Sequence, residues 1–157
     1  MDTVRKVLSR NWRAGKASIL VTVVASNGSA PRKQGACMVV DEMGLRAGSV
    51  GGGRLEYQAI ADAAACLVQK SGMQRPYGLR ECDGLDMICG GEVYLLYTYV
   101  GIAAEIGEAL QLWQSTSEQV QPGWLILRMD GSGVGFLAAN MNDPVGSAVH
   151  AAVQQIR

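Results

Sequence analysis

The chain has 157 residues, 48% of them hydrophobic, and its fourteen basic and fourteen acidic residues cancel to a formal net charge of zero. This length predicts one domain with its own core, and the hydrophobic content excludes a largely disordered chain. The balanced charge argues against a general nucleic-acid binder or membrane-surface binder, because both depend on a basic excess.

The apolar runs of the chain are also too short for a membrane protein. The longest, residues 19–25, is interrupted by Thr22 and has the length of a strand. Basic residues near the N-terminus are not followed by a continuous apolar segment, so no signal peptide is predicted and the cytoplasm is the expected compartment. The four cysteines form no CxxC pair and are expected to be thiols rather than disulfides.

The N-terminal third of the chain predicts a helix followed by three strands. Residues 2–14 carry an apolar stripe at helical spacing and end at Gly15. Residues 18–26 are β-branched and almost wholly apolar, which is typical of a central strand buried on both faces. Two further strands are predicted at residues 36–41 and 45–48, across a short turn.

The spacing of apolar residues changes twice in the middle of the chain. From Arg54 to about Ser71 the apolar residues follow a helical period, and Gly72 is expected to end that helix. Residues 75–88 are ambiguous between a strand and a loop. Residues 92–100 then predict a strand.

The last third predicts a helix, a hairpin and a helical tail. Ile102 and Trp113 bound the apolar face of the helix, and residues 124–129 and 134–138 flank a DGSG turn. The fold class expected is therefore α/β or α+β, a single layered domain with a mixed β-sheet packed with helices. That domain is predicted to span residues 1–138, and residues 139–157 to form an amphipathic helix that docks or dimerises.

The stretch GSVGGGRLE, residues 48–56, lies between a predicted strand and a predicted helix. Gly51, Gly52 and Gly53 would let an anion reach backbone N–H groups at the helix N-terminus, and Arg54 would add a charge-assisted contact. The spacing matches neither a dinucleotide fingerprint nor a P-loop. A tight turn with no ligand is the other interpretation of this stretch.

The loop at residues 27–35 offers a second candidate for anion binding. It carries Ser29, Arg32 and Lys33, and Pro31 stiffens it. The alternative is an ordinary solvated loop. Two glycine-bearing loops that each follow a strand and each carry an arginine favour a shared ligand site at one edge of the sheet.

The third candidate stretch is CDGLDMICGGEV, residues 82–93. Cys89, followed by Gly90 and Gly91, is a thiol that a pocket wall would expose to a ligand. Its spacing from Cys82 matches no zinc motif. The single histidine, His150, lies in the tail, which argues against a hydrolase of the Ser–His–Asp or Cys–His type.

Three stretches in this order, GSAPRKQGACMVV, GSVGGGRLE and CGGEVYLL, resemble the N-terminal domain of the XdhC/CoxI family over about residues 15–100. The resemblance implies an accessory chaperone, without turnover of its own, for a molybdenum hydroxylase of the xanthine dehydrogenase type. Such a protein binds the molybdenum–molybdopterin cofactor as cargo, cooperates with a cysteine desulfurase that supplies the terminal sulfur, and helps to insert the cofactor into the apoenzyme.

The resemblance also implies roles for residues and an assembly. The expected ligands of the phosphate or pterin lie in the three motifs, and Cys89 is expected near molybdenum. They are Ser29, Arg32, Lys33, Gly51, Gly52, Gly53, Arg54, Cys89, Gly90 and Gly91. Family members often have a cysteine where this chain has Arg54, and many continue into a Rossmann-like domain, whereas this sequence stops at Arg157 and is expected to be a short form, a fragment or one half of a split pair. A homodimer or a separate Rossmann-domain partner is therefore expected.

Two other classes of function remain open. One is an enzyme that acts on a nucleotide or pterin with Cys89 as nucleophile, although no base for it is evident. The other is a structural or regulatory interaction domain, in which the glycines are turns and the tail helix makes the contact.

Overall fold

The computed structural model describes residues 2–28, 32–78, 91–118 and 123–138, excluding the side chains of 116–118, 123–124 and 136–138. Residues 139–157, where the tail helix was predicted, lie outside this part of the chain. The elements in chain order are α1 (Asp2–Arg13), β1 (Ser18–Asn27), β2 (Cys37–Asp41), β3 (Gly44–Gly48), α2 (Gly53–Gln69), β4 (Met73–Gly78), β5 (Glu92–Val100), α3 (Ala104–Glu118), β6 (Gly123–Leu127) and β7 (Val134–Ala138).

Five of the strands form one sheet in the order β3-β2-β1-β5-β4, and β6 pairs with β7 in a separate hairpin. The long strands β1 and β5 pair at the centre, and α2 connects β3 at one edge to β4 at the other. The predicted fold class, helices packed on a sheet in one layered domain, is confirmed. Every pair of strands that the structure describes is antiparallel, which makes the fold α+β, whereas the sequence indicated a mixed sheet.

Helix α2 covers one face of the sheet. Alternate residues of β1, such as Ile19 and Val21, point to this face and pack with Leu55, Ala59 and Ala63 of the helix. All five side chains are fully buried. Because side chains alternate across a strand, the neighbouring residues of β1 serve the opposite face, as its near-continuous apolar sequence predicted.

The other face of the sheet is covered by α1, α3 and the β6–β7 hairpin. Leu8 of α1 and Leu110 of α3 pack with Leu20 of β1, and Leu125 and Val134 of the hairpin close this second core at its margin. The predicted hairpin is therefore confirmed, and it forms part of the helical layer rather than extending the sheet.

Gly72 does not end α2 in the way that the sequence predicted. The left-handed residue at the C-terminus of the helix is Lys70, with φ 52°, and its N–H binds the carbonyls of Cys66 and Leu67. Gly72 is instead a point of close packing, because an added Cβ there would collide with the backbone of Gly131 in the hairpin turn. Contact between distant segments, rather than helix termination, therefore requires glycine at this position.

A buried polar cluster closes the end of the sheet at which β1 begins. The Nδ2 group of Asn11 in α1 lies 2.9 Å from both Ser18 Oγ and Asp41 Oδ2. Asp41 also accepts the backbone N–H of Met43 at 2.9 Å and lies 3.3 Å from Arg46 Nε. These contacts fasten α1 to the sheet at the end away from the glycine-rich turn.

In the part of the chain that the structure describes, none of the helices combines the length and the apolar character needed to cross a bilayer.

Candidate functional site

The three sequence motifs meet at one end of the sheet. Asn27, the last residue of β1, pairs with Glu92, the first residue of β5. In the neighbouring pair, Met38 near the start of β2 lies opposite Gly48 at the end of β3. The loop after β1, the glycine-rich turn after β3 and Gly91 before β5 therefore share this end, as the sequence predicted, although antiparallel rather than parallel register brings them together.

Glycine is required in the turn by backbone geometry. Gly48, Gly52 and Gly53 have φ of 81°, 76° and 57°, the left-handed region that other residues rarely adopt. At Gly48 an added Cβ would also collide with the carbonyl oxygen of Cys37 on the adjacent strand. The turn thus reverses the chain from β3 into α2 within four residues, residues 49–52.

The amides of this turn are bonded to Glu56, a residue of α2 itself. Its Oε2 atom accepts the Ser49 hydroxyl at 2.6 Å and the N–H groups of Val50 and Gly52 at 3.2 and 3.3 Å. The N–H of Gly51 donates to Ser49 Oγ at 3.3 Å. The expectation that the amides of Gly51 and Gly52 are open to an anionic ligand is therefore wrong, because Ser49 and the Glu56 carboxylate already accept them.

Arg32 lines a cavity of about 510 Å³ at this end of the sheet, called the Arg32 cavity below. It lies beside the N-terminus of α1, and the strand ends supply the rest of its wall, including Gly35, Cys37 and Ser49. Lys33 is exposed on the same loop. The positive end of the α1 dipole and the Arg32 guanidinium give this cavity a cationic character.

Arg54 lines a different cavity, of about 390 Å³, beside α2 on the opposite face of the sheet. This second cavity, called the Arg75 cavity, is bounded by Tyr57 and Gln58 of the helix and by Arg75 and Tyr77 of β4. The two cavities share no lining residue among those described. The single ligand site predicted from the sequence is thus divided, with Arg32 on one side of the sheet and Arg54 on the other.

A hydrogen-bond chain runs from the Arg75 cavity into the core. Asp62 Oδ2 accepts Arg75 Nη1 at 2.8 Å and the Tyr77 hydroxyl, and Asp62 Oδ1 accepts Gln58 Nε2 at 3.2 Å. Because the Tyr77 hydroxyl proton is used on Asp62, the fully buried Tyr97 hydroxyl donates to Tyr77. The chain joins α2 to β4 and β5.

Burial, and then the hydrogen bond to Asp62, raises the pKa of Tyr77 above its ordinary value. Burial, and then the hydrogen bond to Tyr77, raises the pKa of Tyr97 in the same direction. Burial likewise raises the pKa of the Cys66 thiol, with the negative charge of Asp62 adding to the effect. These groups are therefore held protonated at neutral pH, and the two tyrosine hydroxyls form hydrogen bonds within the chain.

Sequence reasoning missed the contribution of β4 to this site. Residues 75–78 fell in the stretch that was ambiguous between strand and loop, and no residue of it was chosen as a candidate. The pairing of Tyr77 with Val93 shows that it is a strand, with Tyr77 directed into the core. The sequence carried no clear signal for this side of the cavity, because Gln74, Arg75 and Pro76 are all exposed before the buried Tyr77 and β4 shows no regular alternation.

Three of the candidates, Ser29, Cys89 and Gly90, lie outside the described residues, and Gly91 is buried at the start of β5. Within the described ranges, no three metal-ligating side chains lie close enough together to hold a metal ion. Cys37 and Cys66 are buried thiols with no disulfide bond. The placement of Cys89 near molybdenum remains a prediction from the sequence.

Residues 11–78 match the model of the XdhC and CoxI family, which covers two of the three motifs. None of the curated proteins matches the chain in sequence. Among solved structures, a crystal structure described as a xanthine dehydrogenase from Bacillus halodurans matches 86% of this chain with a TM-score of 0.66 and 20% sequence identity. This chain covers 40% of that one, so the likeness concerns the fold of one part of a longer protein.

Proposed function

We propose that this chain, whose residues 11–78 match the model of the XdhC and CoxI family, is an accessory factor in the maturation of a molybdenum hydroxylase of the xanthine dehydrogenase type. In this proposal it binds the molybdenum–molybdopterin cofactor as cargo. It holds the cofactor while a cysteine desulfurase supplies sulfur, and then assists its insertion into the apoenzyme. It does so in the cytoplasm, as a homodimer or with a partner that carries a Rossmann-like domain.

The observation that carries this proposal is the meeting of the three motifs at one end of the sheet. The loop after β1, the turn after β3 and the segment before β5 are distant in sequence and adjacent in space. A ligand with a phosphate at one end and oxo groups on a metal at the other needs several contacts spread over such a surface. The Arg32 cavity offers the cationic group that suits the phosphate.

The bonds of Glu56 change how the anion would be held. Since the amides of Val50, Gly51 and Gly52 already have acceptors, the glycine turn contributes shape rather than N–H donors. Binding then depends on side chains, with Arg32 in the principal role at this cavity and Ser29 and Lys33 beside it in sequence. Cys89 is the group proposed to contact or guard the metal centre.

The test of this proposal is purification from a host supplied with molybdate. We expect molybdenum and a fluorescent oxidised pterin to co-purify with the protein. The Arg32→Ala variant should bind the cofactor roughly 5- to 150-fold more weakly, which corresponds to about 1–3 kcal/mol for a lost charge-assisted contact.

Lys16→Ala is the matched control, because Lys16 is an exposed cation that pairs with Glu42 at the opposite end of the sheet. Protein that carries neither molybdenum nor pterin would contradict the proposal. An equal dissociation constant for Arg32→Ala and Lys16→Ala would remove Arg32 from the site.

A second candidate function is favoured by the same Glu56 contacts. A turn that is fully bonded within the protein needs no ligand, which fits a structural or regulatory interaction domain. This function predicts that the protein binds the apo-hydroxylase equally well with and without cofactor. A cofactor-dependent interaction would exclude it.

A further inference from the structure

The hairpin of β6 and β7 leaves one strand with an open edge. β7 lies against α3 and β5, and β6 is the outer strand of the pair. The N–H of Arg128 donates to the carbonyl of Gly133 at 3.2 Å, which makes these two residues a hydrogen-bonded pair of the antiparallel ladder. Because such pairs alternate along a ladder, Ile126 directs its backbone groups to β7, whereas Leu125 and Leu127 direct theirs to the open edge.

This open edge is apolar and uncharged. β6 has the sequence GWLIL, with neither a charge nor a proline, and its register with β7 is regular. Leu125 and Leu127 pack against the second core, and Ile126 between them is 39% exposed on the outer side. Among the described residues, the N–H groups of Leu125 and Leu127 have no acceptor outside the hairpin. An unpaired apolar edge of this kind is a template for another strand.

The two edges of the five-stranded sheet, by contrast, are protected against pairing. The edge strand β4 carries Pro76, which has no N–H to offer, next to the exposed Arg75. At the other edge, the register of β3 against β2 shifts between Val39 and Val40, so that Arg46 is an extra, charged residue in a bulge. Proline, charge and bulges are devices that prevent association at an edge. β6 has none of them, so it is the strand at which association is expected.

The composition of β6 favours a second copy of this chain as the strand that pairs with it. Antiparallel pairing of two copies of β6 creates a two-fold axis near Leu125, and every residue of the strand then lies opposite an apolar residue or a glycine. The formal net charge of the chain is zero, so long-range repulsion does not oppose the approach of two copies. A foreign strand would need side chains that select it, and β6 supplies no charge for that selection.

We propose that β6 is a dimerisation strand, at which two copies of the chain join their hairpins into one four-stranded antiparallel sheet. The open N–H and C=O groups of Leu125 and Leu127 bond to the partner strand, and the two Ile126 side chains lie on the same face, on either side of the axis. This inference deepens the proposed function, on which it rests for the expectation of an assembly, because it selects the homodimer and names its interface.

Sedimentation velocity over a series of protein concentrations tests the proposal with two variants of opposite charge. We expect the unmodified protein to be a dimer. Ile126→Lys and Ile126→Glu should each raise the dissociation constant of the dimer by about tenfold or more, because two like charges then meet near the axis. An equimolar mixture of the two variants should form a dimer again. Misfolded variants would not recover in this way, so the mixture separates an effect on the interface from an effect on folding.

Met43→Lys is the matched control, because Met43 is an apolar residue that is 73% exposed on the turn between β2 and β3. This variant should remain a dimer. Hydrogen exchange gives a second measurement, since the amides of Leu125 and Leu127 should be protected in the dimer and should exchange faster when the protein is diluted to the monomer.

A monomer at every concentration would overturn the proposal. If the amides of Leu125 and Leu127 were protected in that monomer, another segment of the same chain would cover β6. A dimer that both Ile126 variants leave intact would place the interface on a different surface. None of these measurements uses the cofactor, so failure of the dimer and failure of cofactor binding are distinguishable.

Discussion

The carboxylate of Glu56 accepts the hydroxyl of Ser49 at 2.6 Å, and this contact links the end of β3 to the first turn of α2. The same Oε2 atom accepts the N–H of Gly52, the N-cap residue of the helix, which as a glycine has no side chain to cap it. Glu56 therefore acts like the acidic residue of a capping box, which accepts the N–H of the N-cap residue, and its negative charge also lies at the positive end of the helix dipole.

Replacement of Glu56 by alanine should consequently destabilise the fold. Three donors, the Ser49 hydroxyl and two amides, lose a charged acceptor, and we expect the free energy of unfolding in urea to fall by about 1–3 kcal/mol. Glu105→Ala is the control, because Glu105 is an exposed acid in the first turn of α3 and should contribute less than about 1 kcal/mol. Equal losses of unfolding free energy in Glu56→Ala and Glu105→Ala would mean that Glu56 acts only through the helix dipole.

A second prediction concerns Gly48. An added Cβ at this position meets both a positive φ of 81° and the carbonyl oxygen of Cys37. Gly15 also has a positive φ, 67°, but an added Cβ there meets no atom within 4 Å. Gly15→Ala should therefore cost about 1–2 kcal/mol of unfolding free energy from backbone strain, and Gly48→Ala considerably more. Similar urea midpoints for the two variants would show that β3 moves away from β2 at no cost.

The hydrogen bond between Tyr77 and Asp62 yields a third prediction. Tyr77→Phe removes the acceptor of the buried Tyr97 hydroxyl and one donor to Asp62, so we expect a loss of about 1–3 kcal/mol at neutral pH. Tyr94→Phe is the control, because its hydroxyl donates to Glu92 at 2.8 Å near the surface, and it should lower the free energy of unfolding less than Tyr77→Phe does.

The same tyrosines predict an alkaline loss of stability. The pKa values of Tyr77 and Tyr97 are raised by folding, so above about pH 10 the unfolded chain releases protons that the folded protein retains. The stabilisation is complete below that pH and decreases as pH rises through it. Urea midpoints at rising pH should show this decrease, and Tyr77→Phe should show a shallower one. Identical slopes of urea midpoint against pH for the unmodified protein and Tyr77→Phe would indicate that groups other than these tyrosines cause the alkaline loss of stability.

The fourth prediction separates the stability of the fold from ligand binding. Asn11→Ala leaves Ser18 and Asp41 without their shared donor in a buried position, so it should cost about 1–3 kcal/mol of unfolding free energy. Because this cluster lies at the opposite end of the sheet from both cavities, the dissociation constant of any ligand there should not change. Asn27→Ala, on an exposed residue, is the control for stability and should change it by less than about 0.5 kcal/mol.

Several parts of the fold were predictable because they depend on neighbours in sequence. The β-branched run at residues 18–26 predicted a strand buried on both faces, and β1 is buried in this way over its first six residues. The DGSG turn predicted the β6–β7 hairpin. The apolar face predicted for the third helix began too early in the sequence. Ile102 precedes α3 and is 60% exposed, so that part of the prediction was wrong.

The candidate site was only partly predictable, and Arg32 and Arg54 show why. The sequence marked both as cations on glycine-bearing loops, but which face of the sheet each loop serves depends on the path of α2 from β3 across to β4. Asp62, Arg75, Tyr77 and Tyr97 form one hydrogen-bond chain although up to 35 positions separate them in the sequence. No local pattern indicates such a chain.

The sequence alone determined where strands, helices and reversals occur, because side-chain period and the conformational freedom of glycine act over a few residues. The tertiary structure decided which groups meet: the carboxylate that satisfies the glycine turn, the division of one expected site into two cavities, and the tyrosine pair held protonated beneath the second. These depend on strand register and on the face each helix covers, and packing between distant segments sets both.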